Sequence, residues 1–589
     1  MLSLFDALYY RYPRSVSAVL LASLGFALAT WITWPLLPQF ERALPSGDSP
    51  WGTVPMLNSW ILWWNAAQLR YGFEQYWHAP IFAPEYGTLA FSEPQPATML
   101  AAPVVWLISI PAGYNAYLFF SVTMNLAAGY WFLRNCRCSF LPSLAGGIAI
   151  ALHPLAIDNI EAIQLLPMWG ILIFLRGFIG IWQSPSLKHG LMLSLGFIGT
   201  TLSCIHHALF LAILVPVLIL ALVFYDRWPT RREQAINKRY RKSIFWGSLG
   251  VILISLAIGP MLYKMHQIHQ QYDFERDIER VQVLSASLDS WTASQTLRVS
   301  LSDGSSFHLL PGWIRTCLAG LGLLICSRRS RPAVIMLAAL VTSSFLLSFG
   351  ANIGWSSAAE NSLWNLACEW FSPLSRVRSP YRFAYFTQLG IILLAAIASN
   401  QILLAARLRW WEMRRRGEQV LQIRQLGRHA LGLFLVVAVA VEILPPQCYL
   451  TQPPLAEFTP DWAYFLRTQS NAEDRVLCLP VAKDAAEISH EISTKWMLYG
   501  AQHSCVILNG YSGFTPKPWI DLRKQLRQKK WPQSTFDRLR AIETKFIVVR
   551  RDLTKVDLAQ YFEQVERIFQ DERYEVWRLI AKDDIAKND

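Results

Sequence analysis

The chain has 589 residues, of which 53% are hydrophobic, 13% aromatic and only 16% charged, with a mean hydropathy of +0.26. Average soluble proteins carry roughly 25% charged residues, so this balance excludes a large soluble enzyme and indicates an integral membrane protein. The net charge of +13 does not point to nucleic acid: Lys and Arg concentrate in loops between apolar runs, as the positive-inside bias requires.

Arg11 and Arg14 precede a first apolar run at 15–37. It is too long for the core of a signal peptide and lacks a small-residue cleavage site, so it reads as a retained membrane helix. Further runs lie at 113–133, 140–153, 163–182, 189–203, 206–225, 244–263, 309–327, 332–350, 383–405 and 429–446. A shorter run, 97–111, is broken by Pro103 and Pro111 and is expected to dip into the membrane and return. These runs predict a polytopic α-helical membrane protein of about 11–12 membrane segments. The basic loops 226–243, 327–332 and 406–428 belong in the cytoplasm with the N-terminus, for a protein of the cytoplasmic (inner) membrane. Loops 38–96, 154–162, 264–308 and 351–382, and all that follows 447, then lie outside.

From Cys448 onward the apolar runs shorten and charges return. Strands are expected over Val476–Val481, Val506–Leu508, Phe546–Val549 and Tyr574–Leu579, with helices over Trp519–Gln528, Ser534–Glu543 and Leu558–Gln570. The alternation predicts a small extracytoplasmic α/β domain, 447–589, behind a transmembrane region, 1–446. The nine cysteines show no metal-type spacing. Cys136 and Cys138 read as reduced thiols beside a basic loop; Cys478 and Cys505 are the one pair placed for a disulfide.

The residues able to carry chemistry cluster outside. Asp48 sits in Gly-Asp-Ser-Pro about ten residues past the first span. It could act as a general base, ligate a divalent cation, or simply make the turn. Glu93 lies in a Pro-bounded loop so near hydrocarbon that it needs a partner or water. In His153–Glu161 the simplest reading makes Asp158 the N-cap of the following helix, with Glu161 completing a capping box; a role for His153 and Asp158 at a substrate stays open. His206 and His207 mark a tight turn where imidazoles could bind a phosphate, serve a leaving group or cap the turn; no third ligand at zinc spacing is nearby. Arg376, Arg378, Tyr381 and Arg382 enter a late span from outside, against the positive-inside bias. They fit a phosphate clamp, or snorkelling to lipid phosphates. Loop 264–308 adds Lys264, Arg276, Arg280 and an amphipathic stretch, Asp273–Leu288, as a cover for the cavity mouth.

In this order along the chain, Asp48, Trp77–Pro84, Ser92-Glu93, His153-Pro154, Gln164–Pro167, Arg376–Phe383 and Asn509–Pro516 resemble the GT-C membrane glycosyltransferases. That superfamily includes protein O-mannosyltransferases, the aminoarabinose transferase of lipid A and oligosaccharyltransferases. The resemblance implies a polyprenyl-phosphate sugar entering from the membrane, an unidentified acceptor, and inverting transfer at the outer face. Asp48 would then be the base, Glu93 a second acid, and Arg378 or Arg382 the phosphate clamp. The first loop has no Asp-x-Asp pair, and Trp63-Trp64 is followed by Asn65 where oligosaccharyltransferases carry Trp-Trp-Asp. Asparagine glycosylation is therefore not expected, and no cofactor beyond a divalent cation is implied. The alternative is a non-catalytic GT-C-like subunit or scaffold with partners in a membrane complex. A transporter would put ionisable residues in mid-span and show repeats; there is little of either, since the acids cluster in loops.

Overall fold

The computed structural model describes residues 13–47, 50–227, 233–274, 277–292, 307–326, 330–354, 362–415, 422–442, 444–455, 459–484 and 486–581. Asp48 and Arg276 lie outside the described residues, so their expected roles meet no structural observation.

Among the described residues, seven helices are long and apolar enough to cross a membrane, and four shorter apolar helices accompany them. The protein is an integral membrane protein. The membrane part runs α1 (Pro13–Ile32), β1 (Leu44–Pro45), α2 (Thr53–Tyr71), α3 (Ala102–Leu107), α4 (Ile110–Asn135), α5 (Phe140–Ala151), α6 (Pro154–Asp158), α7 (Trp169–Gln183), α8 (Leu187–Ser203), α9 (Ile205–Arg227), α10 (Glu233–Gln271), α11 (Ile278–Val283), α12 (Trp313–Ile325), α13 (Arg331–Ser348), α14 (Ala384–Arg415) and α15 (Gln422–Val441). At about 1.5 Å per residue, the six residues of α3 are far too short to cross hydrocarbon. The chain continues into α4, whose first turn is capped by the Ser109 hydroxyl accepting from Ala112 N–H at 3.1 Å.

Three expectations are corrected here. The first external loop is not mainly loop: it contains the 19-residue α2, buried along most of its length around Trp60, Asn58 and Asn65. Its Trp60 and Trp64 are buried in the packed face of that helix. Asp158 is not the N-cap of a following helix; it is the last residue of α6, whose N-cap is His153. Lys264 belongs to no loop either, since α10 continues to Gln271.

After β2 (Leu450–Thr451) the chain forms α16 (Asp461–Gln469), β3 (Arg475–Leu479), α17 (Glu491–His503), β4 (Val506–Ile507), α18 (Lys517–Leu526), α19 (Gln533–Ala541), β5 (Thr544–Arg550), β6 (Val565–Gln570) and β7 (Tyr574–Leu579). The sheet order is β4-β3-β5-β7-β6, parallel across β4-β3-β5 and antiparallel across β5-β7-β6. The central strands read Val-Leu-Cys-Leu and Phe-Ile-Val-Val, the continuous apolar runs that sheets covered on both faces require. Residues 558–570 are not one helix. A short turn at Leu558–Tyr561 leads into β6, because an edge strand needs only one apolar face and pairing with β7 overrides the helical spacing. Cys478 and Cys505 remain free thiols.

Two features tie this domain to the membrane part. β1 pairs antiparallel with β2, Leu44 opposite Thr451, so the exits of the first and last membrane helices are joined. Residues 80–83 run beside 507–509: Ile507 N–H donates to Pro80 O at 3.2 Å, Ala83 N–H to Ile507 O at 3.1 Å and Phe82 N–H to Asn509 O at 3.2 Å.

Candidate functional site

A cavity of about 810 Å³ opens between the membrane helices and the C-terminal domain. Three sets of side chains line it. Glu93, His206, Arg376, Arg378, Tyr381 and Arg382 form a polar end. Asn159, Glu161 and Gln164 form a second polar wall, and Phe197, Leu209, Ala212, Leu262 and Met265 an apolar flank.

Glu93 is positioned from α2. Asn65 Nδ2 donates to Pro94 O at 2.7 Å and to Gln95 O at 3.0 Å, while Gln95 Nε2 donates to Asn58 Oδ1 at 2.7 Å. These bonds hold Gln95 at φ 49, a left-handed conformation costly for a residue with a side chain. The turn aims Glu93 at the break between α8 and α9, where Cys204 is a single extended residue. The first turn of a helix has unpaired N–H groups and a positive dipole end. Accordingly, His206 N–H donates to Glu93 Oε1 at 2.9 Å, and His206 Nδ1 bonds the same oxygen. The Cys204 thiol donates to that oxygen at 3.6 Å. Burial works to raise the Glu93 pKa, but the His206 ring, its hydrogen bonds and the Arg382 charge outweigh it and hold the carboxyl at about 2. Glu93 is thus an ionised anchor, and His206 is the group it presents to the cavity.

The arginines come from the segment entering α14. Arg382 Nε is buried without a hydrogen-bond partner, and its guanidinium stands 5.9 Å from the Tyr381 ring centroid. Tyr381 stacks on Phe307 at 4.2 Å. Burial and the neighbouring Arg382 charge lower the pKa of Arg378, and Arg280 of α11 adds to the repulsion. Three arginines gathered at one end of the cavity, with Glu93 already bonded to His206, make a site for an anion.

The backbone of Glu161 is fixed by Asn58 Nδ2 at 3.3 Å and Tyr114 Oη at 3.0 Å. A Cβ on Gly47, at φ +65, would lie 2.9 Å from Glu161 Oε2. The chain just before position 48 therefore runs against this wall. Above, Phe514 stacks on Phe274 at 4.4 Å, Phe274 meets Phe91 edge-on at 5.0 Å, and Phe514 N–H donates to Phe91 O at 2.9 Å. Residues 511–514 of the C-terminal domain thereby roof the cavity.

Not every sequence candidate reaches this space. His153 is the buried N-cap of α6, stacked on Tyr385 at 5.4 Å with its Nε2 3.1 Å from Tyr385 O. His207 is buried against Tyr385 and Phe386. Neither lines the cavity, and nor does Asp158: successive helix residues point in different directions, so His206 faces the cavity and His207 the core. Sequence reasoning gave Glu161 only a capping task and Cys204 none. A cysteine separating two apolar helices carries no local signal of a carboxylate supplied from residue 93.

Glu93, Cys204 and His206 each offer one ligand atom, all within 4.8 Å of one another. This is the donor chemistry of a zinc-type site open to the cavity, assembled from two distant segments. Among the described residues it is the one such group.

No protein-family model matches the sequence, and no curated protein matches it. Solved structures do. The oligosaccharyltransferase AglB of Archaeoglobus fulgidus, in complex with an inhibitory peptide and a dolichol-phosphate, superposes with a TM-score of 0.50 at 10% identity, over 95% of this chain and 73% of that one. ArnT of Cupriavidus metallidurans, bound to undecaprenyl phosphate, gives 0.44 at 11% identity, over 97% of this chain and 98% of that one. The chain has the GT-C fold: a polytopic helical membrane part with a small C-terminal sheet domain.

Proposed function

We propose that the protein is a glycosyltransferase that moves a sugar from a polyprenyl-phosphate donor to an acceptor at the outer face of the membrane. One observation carries this reading: a single cavity joins a cluster of arginines at one end to an apolar flank on α9 and α10. Those two helices turn many large side chains outward, among them Leu220, Phe224, Val251 and Leu256. A lipid tail on that flank puts its phosphate beside Arg378 and Arg382 and its sugar toward Glu161. The archaeal relative in fold, solved with dolichol-phosphate, agrees with such a donor.

In this reading Arg376, Arg378 and Arg382 bind the phosphate, and Tyr381 fixes Arg382. Glu93 orients His206, which donates to the departing phosphate oxygen. Charge developing on that oxygen is stabilised most where water is excluded. Asp48 takes the proton from the acceptor hydroxyl. The acceptor oxygen forms the new bond to the anomeric carbon as the bond to phosphate breaks, and the lipid phosphate leaves. A divalent ion on Glu93, Cys204 and His206 would act as a Lewis acid toward phosphate; no step above depends on it.

The test is transfer in membrane vesicles. Wild-type vesicles should consume a polyprenyl-phosphate sugar and label an acceptor. Asp48→Asn should reduce this by about 10²-fold or more with the protein still inserted. Unchanged turnover would remove Asp48 from the mechanism; no consumption by wild type would favour the scaffold.

A further inference from the structure

A second pocket lies at the opposite ends of the same helices. It has a volume of about 320 Å³ and is lined by Asn135, Cys136, Arg137, Arg176, Gln183 and Ser330, with Ile179 and Ala333. Asn135 ends α4 and Gln183 ends α7, whereas the main cavity lies beyond the other end of each. Arg176 stands seven residues before the end of α7, about 10 Å inside it. A cation at that depth is costly unless an anion or water meets it. Its Nε is buried with no hydrogen-bond partner, and among the described residues no carboxylate lines the pocket. Arg137 faces the same space from a left-handed backbone, φ 65. The N-terminus of α13, which begins just after Ser330, adds the positive end of a helix dipole.

Two guanidiniums, a helix N-terminus and two carboxamides, with no acid among the lining residues, constitute an anion site. We propose that this pocket binds the phosphate of an anionic phospholipid from the leaflet opposite the main cavity. The bilayer supplies phosphate at the depth of Arg176, and basic pockets between membrane helices hold such head groups. Arg176 is the deep ligand and Arg137 the outer one; the lipid would brace α4, α7 and α13 against one another.

Native mass spectrometry of the full-length protein in detergent tests this, with phosphatidylglycerol, phosphatidylcholine and inorganic phosphate as probes. Wild type should retain one phosphatidylglycerol about tenfold more tightly than phosphatidylcholine, the weight of one charge-assisted bidentate contact. Arg176→Gln should abolish that preference. Arg137→Gln, at an exposed position that threatens folding less, should reduce it about threefold. Arg378→Gln, in the main cavity, should leave it intact. Equal retention by wild type and both pocket variants would overturn the site. Displacement of the lipid by millimolar inorganic phosphate would overturn the lipid assignment in favour of a soluble anion.

Discussion

Glu93 accepts from the His206 backbone and bonds the His206 ring, so the two residues act as one unit. Removing either should cost about the same, and removing both little more. Glu93→Gln and His206→Gln are each expected to slow transfer about 10²-fold, measured as sugar-lipid consumption in vesicles. A strictly additive double variant would show two independent roles. The pH response has a definite sign. The folded Glu93 pKa lies at about 2, below its ordinary value of 4.5. Its stabilising contribution is therefore complete above 4.5 and fades as pH falls toward 2. A loss of activity between pH 5 and 8 does not come from Glu93. On the proposed mechanism, in which Arg382 holds phosphate before and during transfer, Arg382→Gln should raise the donor KM about tenfold with a smaller change in kcat.

Helix α17 carries two buried histidines, His503 within it and His490 at its start. Burial lowers the pKa of both to about 4, against an ordinary 6.5. Both favour the folded state fully above pH 6.5, and that contribution is lost as pH falls toward 4. Hydrogen exchange over residues 491–503 should therefore accelerate between pH 6.5 and 5 beyond its intrinsic trend, and His503→Gln should weaken the effect. The roof makes a separate prediction. A Cβ on Gly510 would lie 2.6 Å from the Phe82 ring, so Gly510→Ala should cost roughly 1–3 kcal/mol and expose residues 509–516 to protease. The elements that sequence made legible were those with strong periodicity: the membrane helices and the strands at Val476, Phe546 and Tyr574. Helix α2 was missed because its Trp and Asn residues serve a core formed by distant loops. Residues 565–570 were misread because a sheet edge decides their state. Glu93 could be picked out by its setting, but its partners could not, since Cys204 and His206 reach it only through the break between α8 and α9.

At the scale of the whole molecule, the helices form a wall with an apolar flank, a basic end and a roof contributed by the C-terminal domain. The paired strands β1 and β2 and the contact of residues 80–83 with 507–509 fix that roof over the cavity. The proposed transfer requires the cavity to hold an isoprenoid phosphate. Mass spectrometry of lipids that co-purify with the protein tests this most directly. Wild type should carry about one polyprenyl phosphate, free or sugar-linked, per protein, and the double variant Arg378→Gln, Arg382→Gln should carry at least about tenfold less. Bulk phospholipid alone in both preparations, or equal polyprenyl phosphate in both, would contradict it.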